Sequence, residues 1–159
     1  PGDGRTADYR EGVYVGYRWY DARRMPVRWP FGHGMGYTGF VYRNARLSAD
    51  TLAEGGEVKV CVTVKNSGAV RGAEVVQLYI SDETGAPIAG GRVPQVLRGF
   101  SKVWLDPGEE RDVEFVLTAR DLAHYDPTRR AWHTAPGRYL LRLGHTSRDI
   151  RASLGLNFG

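Results

Sequence analysis

Apolar and polar residues alternate in several stretches of the chain. From Glu57 onward Val58, Val60, Val62 and Val64 alternate with Lys59, Cys61, Thr63 and Lys65, a period of two that predicts a strand with one buried face. Asn66-Ser67-Gly68 breaks the pattern with residues that tolerate turns, and leads into a second strand over 73–80. That strand has apolar side chains on both faces, which predicts a central position in its sheet. Residues 81–91 read as a loop carrying Gly85, Pro87, Gly90 and Gly91. Two short extended pieces, 93–97 and 100–105, follow it, interrupted at Arg98-Gly99. Asp106-Pro107-Gly108-Glu109 is a turn. Beyond it, Val113, Phe115 and Leu117 alternate with Asp112, Glu114 and Val116 to give a half-buried strand. Asp121-Leu122-Ala123 reads as a helical turn, and 138–144 and 150–156 as the last two strands. With an opening strand at 40–47, the count is about seven at regular spacing, which predicts an all-β antiparallel sandwich.

The first forty residues read differently. Val13, Val15, Tyr17 and Trp19 alternate with Tyr14, Gly16, Arg18 and Tyr20, predicting an extended N-terminal arm with a strand over 12–20 that is aromatic on both faces. Such a strand needs cover on two sides. Residues 25–37 hold Pro26, Pro30, Gly32, Gly34 and Gly36, which suits a connector. The chain therefore divides into 1–37, the end of a different unit with its connector, and 38–159, the sandwich. A length of 159 residues suits one domain with an appendage.

Charge and composition narrow the function classes. Twenty-two Lys and Arg against 18 Asp and Glu give a net charge of +4, scattered along the chain. The densest pairs, Arg23-Arg24 and Arg129-Arg130, lie far apart, so no basic stripe for nucleic acid is expected. No apolar run approaches the ~20 residues of a membrane span. One cysteine, Cys61, excludes an intrachain disulfide and leaves localisation open between secreted and cytoplasmic. Pro1-Gly2-Asp3-Gly4 carries no signal-peptide pattern and reads as the inside of a longer chain.

Candidate chemistry is sparse. General acid–base chemistry by paired carboxylates needs one of them kept protonated, whereas the acids here cluster at turns such as Asp82-Glu83 and Glu109-Glu110, where solvation keeps both ionised. No catalytic residue is expected. His33, His124, His133 and His145 lack metal-ligand spacing, so neither metal nor cofactor is expected. Gly32-x-Gly34-x-Gly36 leads into a strand rather than a helix, so phosphate cradling is not expected. His33, between two glycines, suits a hydrogen bond that locks the connector. Tyr9, Tyr14, Tyr17, Trp19 and Tyr20 form an aromatic patch, read first as a domain interface and alternatively as a sugar-binding surface through Trp19 and Tyr20. Trp132 is expected between the sheets, and Cys61 is expected to be a half-buried small residue.

Several ordered blocks carry a family resemblance. Glu11 through Asp21, with Trp29-Pro30-Phe31-Gly32-His33-Gly34-Met35-Gly36-Tyr37-Thr38, resembles the end of the second domain of family 3 glycoside hydrolases and the segment after it. The family pattern reads Phe-Pro-Phe-Gly-His-Gly-Leu-Ser-Tyr-Thr, from which this chain departs at Trp29, Met35 and Gly36. The match continues through Val62-Thr63-Val64-Lys65-Asn66-Ser67-Gly68, Gly72 to Tyr79, Arg92-Val93-Pro94, Leu97-Arg98-Gly99-Phe100, Leu105 to Glu109 and Gly137-Arg138-Tyr139.

The resemblance implies an immunoglobulin/fibronectin type III-like sandwich that closes a β-glucosidase-like or β-xylosidase-like enzyme whose catalytic residues lie in other domains. It implies a non-catalytic module whose partners are the catalytic domains of the same polypeptide. On this reading Tyr17, Arg18, Phe31, Gly32, His33, Gly34 and Tyr37 form the interdomain connector. A dimer through pairing of the 12–20 strand is a further expectation.

Overall fold

The computed structural model describes residues 4, 11–86, 88 and 91–159; the expectations for Tyr9, Pro87 and Gly90 lie outside the described residues. In chain order the elements are α1 (Tyr17–Ala22), β1 (Phe40–Leu47), β2 (Thr51–Leu52), β3 (Glu57–Asn66), β4 (Gly72–Asp82), β5 (Val96–Leu105), β6 (Glu110–Thr118), α2 (Ala119–Leu122), β7 (His124–Asp126), β8 (Ala131–His133), β9 (Gly137–Gly144) and β10 (Ile150–Phe158). They form a three-stranded sheet of order β1-β3-β6, a five-stranded sheet of order β2-β10-β9-β4-β5, and the small hairpin β7-β8. Neighbours are antiparallel except β2 and β10, which run parallel.

The alternation in the sequence places the core between the two large sheets. Val58, Val60, Val62 and Val64 of β3 point inward and are at most 1% exposed. They pair in register with Leu117, Phe115, Val113 and Arg111 of β6. From the facing sheet come Val76, Leu78 and Ile80 of β4, Leu141 and Leu143 of β9, and Leu156 and Phe158 of β10. At about 1.5–3 kcal/mol per fully buried aliphatic side chain, this layer is the main favourable contribution to folding. β4 lies inside its sheet, paired on its two sides with β5 and β9. The all-β sandwich follows from the sequence, and its seven long strands are the seven of eight residues or more. β2, β7 and β8 add three short ones, too brief to show a period.

Three expectations are corrected. First, residues 12–20 form no strand: 17–22 are helical, entered through Gly16 at φ 59°. A lone strand here would leave its backbone groups unpaired, whereas a helical turn bonds its own. The proposed dimer by strand pairing therefore has no strand to offer. Second, β5 continues through Arg98-Gly99 as one strand, and the expected interruption is a bulge: its pairing with β4 slips there, Leu78 facing Gly99 and Tyr79 facing Leu97. Gly99 is needed because a Cβ there would lie 2.9 Å from the Phe115 ring, so the glycine marks a close approach of the two sheets and not a break. Third, Trp132 is not between the sheets. It lies on β8, 52% exposed, edge-to-face with Tyr125 at 5.8 Å and beneath the Arg120 guanidinium at 3.6 Å. Cys61 is buried, and that burial raises its thiol pKa.

Candidate interdomain face

Residues 11–37 lie on the outer surface of the five-stranded sheet, with one side clipped to it and the other facing solvent. On the inner side the Tyr17 ring stacks on Phe31 at 4.9 Å and meets the buried Tyr79 ring edge-on at 5.9 Å. The Leu97 N–H of β5 donates to the Tyr17 hydroxyl at 2.8 Å. Tyr79 donates to Gln77 Oε1 at 2.5 Å, and Gln77 Nε2 donates to the His145 carbonyl. Gly32 passes directly over that amide: its φ is +83°, and a Cβ would stand 2.3 Å from Gln77 Nε2. Only glycine fits on both counts.

A second set of clips comes from the β9–β10 loop. The Ser147 N–H donates to the Phe31 carbonyl at 2.9 Å. Arg148 donates to Asp21 Oδ1 at 2.8 Å and to the Met25 carbonyl at 2.9 Å. Asp21 lies one helical turn after Tyr17, so both reach the sandwich from one face of α1. The His145 ring places Nδ1 2.7 Å from Glu74 Oε1 and Nε2 3.4 Å from the Gly34 carbonyl. Each ring nitrogen thus faces an oxygen, one of a carboxylate and one of a backbone carbonyl. At the connector's end Thr38 donates to Asn66 Oδ1 at 2.6 Å.

The outward side is apolar. Nine of the sixteen exposed large hydrophobic side chains among the described residues fall between 13 and 37, including Trp19, Tyr20, Trp29, Met35 at 89% and Tyr37 at 100%. Trp29 stacks on His33 at 4.5 Å, and Arg23 lies 4.7 Å over Trp19. A hollow of about 520 Å³ opens between Tyr17, Tyr20, Pro26, Trp29, Phe31 and Arg148.

The connector residues and the two sugar-binding candidates named from the sequence thus separate. Tyr17, Phe31, Gly32 and Gly34 hold the arm to the sandwich, while His33, Trp19, Tyr20 and Tyr37 face outward; Arg18 turns toward a separate cavity near β7-β8. Asp21, Glu74, His145 and Arg148 went unread, because partners such as Asp21 and Arg148 lie 127 positions apart and no local pattern joins them. The surface carboxylates Glu109 and Asp112 are held below their ordinary pKa, Glu109 by the Asp106 backbone and Arg111, Asp112 by Thr63 and Arg46. Those shifts are opposite to what a general acid needs. Among the described residues no group of three or more His, Cys, Asp or Glu is arranged to hold a metal ion, and no helix is long and apolar enough to cross a membrane.

Comparison with known proteins gives the context. The fibronectin type III-like domain family matches residues 74–147. The chain is 39% identical over 158 residues to β-glucosidase BoGH3A of Bacteroides ovatus, covering 99% of this chain and 21% of that protein. It is 39% identical over 150 residues to thermostable β-glucosidase B of Acetivibrio thermocellus, covering 94% and 20%. Among solved structures, the β-D-glucoside glucohydrolase of Trichoderma reesei superposes with a TM-score of 0.86 at 34% identity, covering 99% of this chain and 24% of that one. The GH3 β-glucosidase of Bifidobacterium adolescentis gives 0.84 at 35%, covering 95% and 22%. The chain spans about one fifth of the length of these relatives.

Proposed function

Because the chain is a fibronectin type III-like segment homologous to one part of family 3 β-glucosidases, we propose that it serves as a non-catalytic accessory module of such an enzyme. In this reading 1–37 is the end of the preceding α/β domain with its connector, and 38–159 is the sandwich. The outward aromatics, with Trp19, Tyr20, Trp29 and Tyr37 foremost, pack on the catalytic domains of the same polypeptide and shape the rim of their active site. The observation that carries this is the two-sided arm: one side is bonded to the sandwich, and the other exposes Trp19, Tyr20, Trp29, Met35 and Tyr37. Burying those side chains on a partner removes them from water at about 25 cal/mol per Å².

The test is activity in two forms. The 159-residue chain is expected to give no turnover of aryl β-glucosides or β-xylosides above a buffer blank, and the longest product of its gene is expected to hydrolyse at least one of them. Turnover by the short chain would overturn the proposal. A second reading, sugar binding, is favoured by the hollow beside Tyr20 and Trp29, since aromatic faces stack on sugar rings. Calorimetric titration with cello- and xylo-oligosaccharides separates the two: heat with a matching tryptophan fluorescence change supports sugar binding, and its absence supports the interface.

A further inference from the structure

A second cavity, of about 230 Å³, lies on the other side of the arm, between β4, β5, α2 and the β7-β8 hairpin. Its apolar wall is Ile80, Val96 and Leu122, closed by Tyr139 and by the Tyr125–Trp132 edge-to-face pair. A dry apolar cavity of ~150 Å³ holds one benzene ring, so this one admits a six-membered ring with a substituent.

The charges around it are unevenly matched. Arg92 is paired with Asp82 at 2.5 Å and donates to the Asp82 carbonyl at 2.6 Å. The Asp121 carboxylate is committed to capping α2, accepting from the Thr118 N–H at 2.8 Å and its hydroxyl at 2.9 Å. Arg98 is the exception. It donates to the Ala123 carbonyl at 2.8 Å, and among the described residues its enclosed Nε meets no acceptor and no carboxylate lies within ion-pair distance of it. Burial lowers its pKa; Asp121 opposes that shift and Arg18, also lining the cavity, reinforces it. Among the described residues this partly buried guanidinium, beside a second arginine, forms no ion pair.

We propose that this cavity is a binding site for a small carboxylate carried on an aromatic ring, with the carboxylate meeting Arg98 and the ring enclosed by Ile80, Val96, Leu122 and the Tyr125–Trp132 pair. Arginine is the side chain suited to a planar carboxylate, which its fork meets with two parallel bonds. The apolar wall selects a ring over a sugar acid, whose hydroxyls would find few partners there.

Titration calorimetry on the 159-residue chain tests this with benzoate as the probe and benzamide, its neutral isostere, as the control. Benzoate is expected to bind at least about tenfold more tightly, the ratio that one charge-assisted bond supplies. Arg98→Gln keeps a donor for the Ala123 carbonyl while removing the charge, and is expected to abolish the preference for benzoate. Trp132→Ala, on the exposed hairpin and independent of that hydrogen bond, is expected to weaken both probes alike. Equal affinity for benzoate and benzamide in the unaltered chain, or no heat with either, overturns the proposal whether or not the Arg98 variant folds. It is also overturned if benzoate binds this chain but not the longest product of the gene, for then an acidic side chain of the neighbouring polypeptide occupies the cavity.

Discussion

Asn66 ends β3 with its side chain wholly enclosed and joins three segments. Its amide donates to the Val70 and Leu105 carbonyls at 2.8 and 3.0 Å, while its carbonyl accepts from Thr38 and from the Gly68 N–H at 2.6 and 3.0 Å. Asn66→Ala strands these groups in a dry site, where each orphaned partner is costly. The expected loss is about 2–3 kcal/mol, read as a fall in Tm of roughly 4–12 °C for a domain of this size. Tyr139 supplies a pH dependence. Burial, with a further push from Asp82, raises its hydroxyl pKa to about 12, against an ordinary value of about 10. A group raised in the fold contributes fully below its unfolded pKa, and that contribution fades as pH climbs from about 10 toward 12, by about 2–3 kcal/mol in all. Tyr139→Phe loses the 2.7 Å bond to the Ala135 carbonyl, at about 1 kcal/mol at neutral pH, and flattens the alkaline limb. Urea denaturation across that pH range checks both effects. Tyr42 and Tyr79 are pushed upward by burial as well, so the limb shrinks without vanishing.

At the scale of elements, the arm is held at few points and one glycine governs the closest of them. Gly32→Ala combines a backbone conformation that costs about 1–3 kcal/mol for a side chain with a Cβ placed against Gln77. The expected result is a released arm on a sandwich that still folds: trypsin cleaves after Arg23, Arg24 and Arg28 several-fold faster, and stability falls by up to the roughly 2–4 kcal/mol that the arm's aromatic cover of Tyr79 contributes. Unchanged cleavage would show that the arm is not held there. The same elements show what the sequence could reveal. Strands such as β3 and β6 were legible because one face of each is buried in the core, and burial imposes the period. The arm's alternation of aromatics looked identical but had no partner strand, and the helix at 17–22 answers to backbone pairing that no side-chain pattern records. Trp132 misled for a related reason: a large aromatic suggests a core, yet Arg120 and Tyr125 give it a place on the surface. Of the arm, the exposure of Trp19 and Tyr20 was legible in the alternation of aromatics. The clips from Asp21 to Arg148 and from Glu74 to His145 were not, since they exist only once β9 and β10 have brought their loop over the arm.

For the molecule as a whole, the question is whether the arm belongs to the sandwich or to what precedes it. Every member of the buried core cluster lies between Leu52 and Phe158, so the two sheets need nothing from residues 1–37 to fill their interior. The arm instead covers the outer face of β4, where Tyr79 is fully buried against Tyr17, on which Phe31 stacks. A chain of residues 38–159 is therefore expected to fold cooperatively, with a stability lower by roughly 2–4 kcal/mol, the contribution of two partly buried aromatic side chains. The newly bared face around Tyr79 and Gln77 should bind a hydrophobic dye that the 159-residue chain binds only at its arm. Circular dichroism and denaturant midpoints of the two chains measure this directly. If the shorter chain fails to fold, the boundary at 37/38 is wrong, and the arm is a layer of the domain. If it folds with unchanged stability, the arm rests on the sandwich without holding it, and its outward aromatics are positioned from the other side of the interface.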